Sequence, residues 1–474
     1  MTAFANDIER RGGKRPIDRL KPVPRVPGHP ILGHLSSFRN DRIGTMLRFG
    51  ASHPEIVEVS MGIVRRLVVI SSPTLANEVL VTKQSSFVKA PGLAVFLKPV
   101  LGEGLLTSER AVHERQRRLL APAFAPRRIA SYADTMAERT QRFVSKLRDG
   151  EPIDVADAMM RLTFEIVGKA LFDAEVVGDA DAVGDALTTA MEVAIGQLGS
   201  VVPVPPMIPT PSNLRYRRAV ARLDEVVYRI IRERRAEGRD RGDVLSILTS
   251  ARDEDGTVMT DRQVRDEAMT LFLAGHETTA NALSWTFYLL ARNPEARTRM
   301  ETELDALGHA PGYDDLKKLP YTLATFKEAM RLYPPAYLLA RRAIEDVPIG
   351  DYLVKKHSIV LINTLGLHRR PDLWPDPERF DPDRFLGDKE KHLPRCAYLP
   401  FGAGPRVCIG NHFALMEGHI LLATIARRAR FELTSTNDVD LEPLVTLRPR
   451  GGIPARVVAR APDCAVNETL AARA

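Results

Sequence analysis

Phe401-Gly402-Ala403-Gly404-Pro405-Arg406-Val407-Cys408-Ile409-Gly410 is the sharpest local feature of the chain. Two glycines and a proline ahead of the cysteine encode a tight loop. A long apolar run at about 411–427 follows and reads as a helix. Cys408 therefore stands just before a helix N-terminus, where the macrodipole and nearby backbone N–H groups lower a thiol pKa. A free cysteine is most often a buried, inert small hydrophobe, and Cys396 and Cys464 take that reading. For Cys408 the loop around it favours a working thiolate. No P-loop Lys-Ser/Thr follows, so phosphate binding is a weak reading.

Upstream, the best-defined helix is predicted from about Asp261 to Arg292. Thr260 is its N-cap, Gln263 completes a T-x-x-Q capping box, and Asn293-Pro294 ends it. Its centre, Ala274-Gly275-His276-Glu277-Thr278-Thr279, places a glycine and two β-branched residues mid-helix. Such a weak spot predicts a functional kink, or else a packing glycine. His276-Glu277-Thr278-Thr279-Ala280 narrowly fails the zinc-protease pattern, because Ala280 replaces the second histidine. Glu328 and Arg331 share one face of a helix predicted over 321–332, which Pro334-Pro335 stops. Alone, that spacing describes an ordinary surface ion pair.

The composition bounds the rest. The 474 residues, 44% hydrophobic and 27% charged, are enough for a large core and exclude a membrane-embedded chain. The balance of 67 − 60 = +7 is mixed along the sequence, so nucleic acid is not implied. Three cysteines, with no CxxC, exclude a disulfide framework and a zinc ribbon. The N-terminus lacks an apolar h-region, and no apolar run spans a bilayer, so a cytoplasmic protein without a membrane anchor is expected. Residues 1–30 form a basic, Pro-rich arm, and 31–474 one domain, mainly α with a small β-rich portion. A hairpin is predicted within 55–72, and helices at about 183–200 and 213–237. Between those helices, the Pro-rich stretch 203–211 is expected to be a mobile lid.

Four segments together resemble one family. The Phe401–Gly410 loop resembles the haem-ligand loop of the cytochrome P-450 superfamily. Ala274–Thr279 is similar to its oxygen-activation motif, Glu328-Ala329-Met330-Arg331 to its E-x-x-R motif, and Phe380-Asp381-Pro382-Asp383-Arg384-Phe385 to its F-x-P-x-R-F. They occur in the family's order, and the resemblance covers nearly the whole chain.

The resemblance implies a soluble, bacterial-type monooxygenase with haem b and Cys408 as the axial iron ligand. Thiolate ligation favours O–O cleavage. Phe401 would shield the sulfur, and the loop glycines, Gly410 among them, would let N–H groups approach it. His113, Arg117, Arg341 and Arg406 would hold the haem propionates. Glu277 and Thr278 would form an acid–alcohol pair that delivers the two protons O2 cleavage needs. Glu328, Arg331 and Arg384 would form a buried structural ion network.

Thr270, Ala274 and Thr278 share one helix face, so Ala274 should border both haem and substrate. Leu106, Ala336 and Leu338 complete an expected apolar pocket for a fatty acid, terpenoid, steroid or macrolide, with a slight lean toward fatty acids. No flavin or ferredoxin module follows Cys408. Electrons derived from NAD(P)H would therefore arrive from a separate ferredoxin or flavodoxin and its reductase. Arg115, Arg118, Arg406, Arg427, Arg428 and Arg430 are candidates for its docking face. A monomer is expected. The competing readings are a peroxide-using or isomerising relative and a non-catalytic haem binder.

Overall fold

The computed structural model of the protein describes residues 20–460, apart from 63–64, 92–96, 253–255 and much of 174–206. Four helices build the main core. They are α1 (Val155–Phe172), α2 (Asp261–Arg292), α3 (Pro320–Leu332) and α4 (Asn411–Arg428). The box at Thr260 forms as the sequence requires: Thr260 Oγ1 accepts from Gln263 N, and Gln263 Oε1 accepts from Thr260 N. α2 is helical over its whole length and buried along most of it, because neighbouring elements pack on most of its surface.

No break occurs at Ala274–Thr279. The local perturbation is instead a set of hydroxyls on main-chain carbonyls. Thr278 Oγ1 donates to Ala274 O (2.7 Å), Thr279 Oγ1 to Gly275 O (3.2 Å) and Thr163 Oγ1, from α1, to His276 O (3.0 Å). Gly275 has a packing role, since a Cβ there would sit 3.2 Å from Val167 of α1.

The β-rich portion centres on a five-stranded sheet. Its strands are β1 (Ile56–Met61), β2 (Arg65–Ile70), β3 (Phe87–Lys89), β4 (Leu339–Ala343) and β5 (Ile359–Ile362), in the spatial order β1-β2-β5-β4-β3. The expected hairpin is β1 on β2, with Ile56 opposite Ile70. A second hairpin pairs β6 (Leu441–Pro443) with β7 (Leu447–Pro449) and packs against α2.

Residues 1–19 of the basic arm lie outside the described residues. The rest of it is docked: Lys21–Pro22 pairs with the strand Tyr352–Val354, and Val23 is buried. The arm thus adds an edge to a separate three-stranded sheet. The described residues of the helix expected at 183–200 are helical; in the lid expected at 203–211 only 203, 205 and 206 lie outside the described residues, and Cys464 lies outside them as well. Pro211–Glu237 is helical, with Thr210 capping it through Asn213 N. Among the described residues, no helix is long and apolar enough to cross a membrane.

Candidate active site

The cysteine loop is shaped by close backbone approach. Gly404 has φ +73°, and a Cβ there would lie 2.0 Å from the carbonyl oxygen of Leu80, so only glycine fits. The loop closes on itself through Cys408 N to Phe401 O (2.9 Å) and Val407 N to Gly404 O (3.0 Å). Arg117 reaches in from the helix Arg110–Leu120 and donates to Val407 O at 2.8 Å. Its guanidinium thus braces the ligand loop. Phe401 packs partly buried against the main core, and Gly410 caps α4.

Cys408 is enclosed by protein on all sides, yet its side chain is open to space. It thus lines an internal hollow. Burial pushes its thiol above the ordinary value, against the Gly410 N–H and Arg117, which pull it down. This corrects the expectation of a depressed thiol: desolvation outweighs the helix terminus. A metal on the sulfur would remove the proton outright. Cys396 is buried beside Asn77, with its thiol pushed up to about 11 by burial.

A cluster of basic groups is packed nearby. Arg406 is bonded to Ser108 O (3.1 Å) and Glu109. Strand pairing sets Lys89 of β3 opposite Arg341 of β4. Burial, then Arg406, drives the Lys89 ammonium down to about 7. Burial and Arg406 bring Arg341 to about 10. His113 is held at about 3 by burial and by Arg406, Lys89 and other cations, so it acts as a neutral hydrogen-bonding group and not as a cation. Lys89, Arg341 and Arg406 crowd positive charge beside Glu109, Glu114 and Glu267, and such a cluster suits the two carboxylates of a haem edge. The open cysteine and this cationic cradle fit that cofactor. Lys89 was not among the expected contacts: a lone lysine in a three-residue strand carries no local signal.

Within the buried stretch of α2, Ala274 is exposed and Thr278 half exposed, so this face borders open space. Thr270, on the same face, is buried with its hydroxyl unpartnered, against Gly104. Leu106 packs near α2, and Ala336 is partly buried. Leu338 packs on the sheet-side clusters that contain Phe49 and Tyr337. Leu444 and Val445, at the tip of the β6–β7 hairpin, pack on the apolar cluster that includes Met269 and Leu273 of α2. Only the fold brings this wall to α2.

Glu277 and Thr278 do not share a face. The Glu277 carboxylate is buried and turned to the hairpin, where Oε1 accepts from Thr446 Oγ1 and from Arg448 Nε (2.9 Å), with Arg448 Nη2 ion-paired at 2.8 Å. A second carboxyl was missed. Glu417 of α4 is wholly buried beside Thr279, lacks a well-placed donor among the described residues, and is pushed by burial up to about 8. An acid inside the apolar run ALMEGHILLATIA was its sequence signal.

Glu328 and Arg331 are fully buried and joined by two bonds of 2.7 and 2.8 Å. Arg331 also donates to the carbonyls of His368, Pro377 and Arg379. Arg384 lies 3.4 Å from Glu328, which also accepts from Asp381 N. Of the basic residues expected at a partner face, Arg427 is buried and Arg430 is paired with Glu301, whereas Arg118 and Arg428 are exposed.

Comparison with known proteins agrees with this geometry. The family model described as Cytochrome P450 matches residues 23–453. The cyclooctatin synthase of Streptomyces melanosporofaciens is 38% identical over 89% of this chain and 92% of its own. The cyclooctat-9-en-7-ol 5-monooxygenase of the same organism is 35% identical over 89% and 94%. The crystal structure of the cytochrome P450DA heme domain superposes with a TM-score of 0.85 at 30% identity, covering 94% of this chain and 99% of that one. With the cysteine loop, the cationic cradle and the opened helix face in one fold, the chain belongs to the cytochrome P450 family and is a haem-thiolate monooxygenase.

Proposed function

We propose that the enzyme hydroxylates a compact, largely hydrocarbon molecule of the terpenoid type. It would use haem b held by Cys408 and electrons from a separate ferredoxin or flavodoxin and its reductase. The bound haem iron supplies O2 activation; the chain supplies position, protons and exclusion of water. The observation that carries this reading is the opening of α2 at Ala274 and Thr278, in an otherwise buried stretch. The names of the two Streptomyces relatives support the substrate class and move it away from the fatty-acid lean.

Each residue has a definite task. Lys89, Arg341 and Arg406 hold the carboxylate edge of the cofactor, and His113 adds a neutral donor. Arg117 fixes the loop behind Cys408 through Val407 O. Ala274 has no side chain beyond Cβ, so substrate can approach there. The Thr278 hydroxyl, parked on Ala274 O, turns to hold a water and pass its proton. Glu277, facing the hairpin, reaches that chain only through water bound at its other oxygen.

A spin-state titration of the ferric protein tests the substrate class. Polycyclic terpenoid alcohols and hydrocarbons should give the shift. A response that grows with fatty-acid chain length, and none to terpenoids, would overturn it. Turnover that depends on added reductant separates the proposal from a peroxide-using or isomerising relative.

A further inference from the structure

Glu109 stands at the N-cap position of the helix Arg110–Leu120, but its side chain makes no capping bond. An acid at that position ordinarily accepts from an N–H of its own helix's first turn. Both oxygens of Glu109 turn elsewhere. Oε1 accepts from the main-chain N of Lys89, on the edge strand β3, at 2.6 Å, and Oε2 accepts from Arg406 Nη2. The next residue, Arg110, has φ +50°, a left-handed conformation that strains an arginine. Such strain persists only where the surroundings impose it, and the two bonds on Glu109 hold the chain in that shape.

One carboxylate thus ties together two of the segments that carry the cationic cradle. Its charge reaches all three cations. Burial lowers the pKa of Lys89, Arg341 and Arg406, and Glu109 opposes that fall in each. Of the other nearby acids, Glu114 acts on Arg406 and Glu267 on Lys89. The Glu109 side chain is 32% exposed, so water and salt screen it incompletely. A haem carboxylate placed among these cations would meet a like charge already there. Two carboxylates near one guanidinium share its attraction and repel each other. Glu109 therefore stabilises the charged cradle most before the cofactor is bound, and less once the haem carboxylates supply negative charge.

We propose that Glu109 is the resident counter-ion of the haem-edge cradle: it competes with the haem carboxylates for Arg406, so that the holoenzyme releases haem faster than the cradle's cations alone would allow. It is a positioning residue. Its bonds keep Arg406 and the Lys89 strand in place, and its charge sets how firmly they grip. The proposal rests on the reading of Lys89, Arg341 and Arg406 as the holders of that edge. Nothing in the local sequence of Glu109 marks it, because its contact with Arg406 spans 297 residues.

The test follows transfer of ferric haem from the holoenzyme to an excess of acceptor protein at about pH 7. Glu109→Gln keeps an oxygen for Lys89 N and loses the charge. It should release haem about fivefold more slowly than the wild type. Equal or faster release overturns the proposal, and faster release is what a purely structural Glu109 would give. The same proteins loaded with the dimethyl ester of haem separate charge from packing. The ester bears no carboxylate, so Glu109→Gln should not slow its release. Equal slowing of haem and ester overturns the proposal. If the wild type releases haem and ester at one rate, the reading of the cradle itself fails, and the proposal with it. Should Glu109→Gln not load haem, Lys89→Met and Lys89→Met/Glu109→Gln carry the test, because the double variant loses a cation along with the anion. The double variant should release haem about threefold more slowly than Lys89→Met alone, and equal or faster release overturns the proposal.

Discussion

Lys89 and Arg341 stand directly opposite each other on neighbouring antiparallel strands. Like charges in that register repel, and burial sharpens the conflict. Lys89 Nζ rests on the carbonyls of Leu105 and Leu106 and Arg341 on that of Ala340, and the carboxylates of a haem edge would offset the two charges. Lys89 ordinarily titrates at 10.5 and is driven down to about 7 here. Between those values the cofactor-free folded chain binds fewer protons than the unfolded one, so its stability rises as pH rises through that window. Haem reverses the preference, since its carboxylates favour the ammonium. Haem release should therefore quicken, by about three- to tenfold, between pH 6.5 and 8.5. Transfer of haem to an acceptor protein measures it, and Lys89→Met should flatten the dependence.

Cys408→Ser should abolish the thiolate-type spectrum of the reduced CO complex. An unchanged spectrum would remove Cys408 as the ligand. Secondary structure should persist, because the loop bonds at Phe401 O and Gly404 O use backbone only.

Thr278→Ala should keep haem and fold but release peroxide in place of product. Among the described residues the hydroxyl bonds to Ala274 O alone, and exposed α-helix positions accept alanine well. Peroxide yield per NADPH is the measurement, and full coupling would take Thr278 out of the relay.

Arg331→Ala strands the Glu328 carboxylate, which has no exposed surface. The expected cost is about 3–5 kcal/mol, read as the shift of the urea midpoint. Arg331→Lys keeps a charge but loses the fork that serves Glu328 and three carbonyls together, so it should restore only part of the loss.

The sequence made the cysteine loop legible because its glycines answer a local steric demand, and made α2 legible because caps and periodicity are local. Cys408, Glu328 and Arg331 were readable as motifs through resemblance. Lys89, Thr446 and Arg448 were not, since their partners lie on strands or helices distant in sequence. The depressed thiol was misjudged for a related reason: a helix terminus is visible in a sequence, whereas the depth of the hollow around a sulfur is not. The acid–alcohol pair was adjacent in sequence, yet one step along a helix turns a side chain by about 100°. Glu277 and Thr278 therefore look at different walls.

Three grips on the ligand loop come from early in the chain. Leu80 limits residue 404 to glycine, Arg117 holds Val407, and Ser108 with Glu109 holds Arg406. Arg117, Ser108 and Glu109 precede their loop partners by 290 or more residues. During synthesis the receptacle is therefore made long before the ligand that completes it. Haem retention becomes a finishing event of biogenesis, after the ribosome has passed Cys408. A chain broken in an exposed connection such as 238–240 would leave two fragments that each lack half the grip, and only their reunion would trap the cofactor.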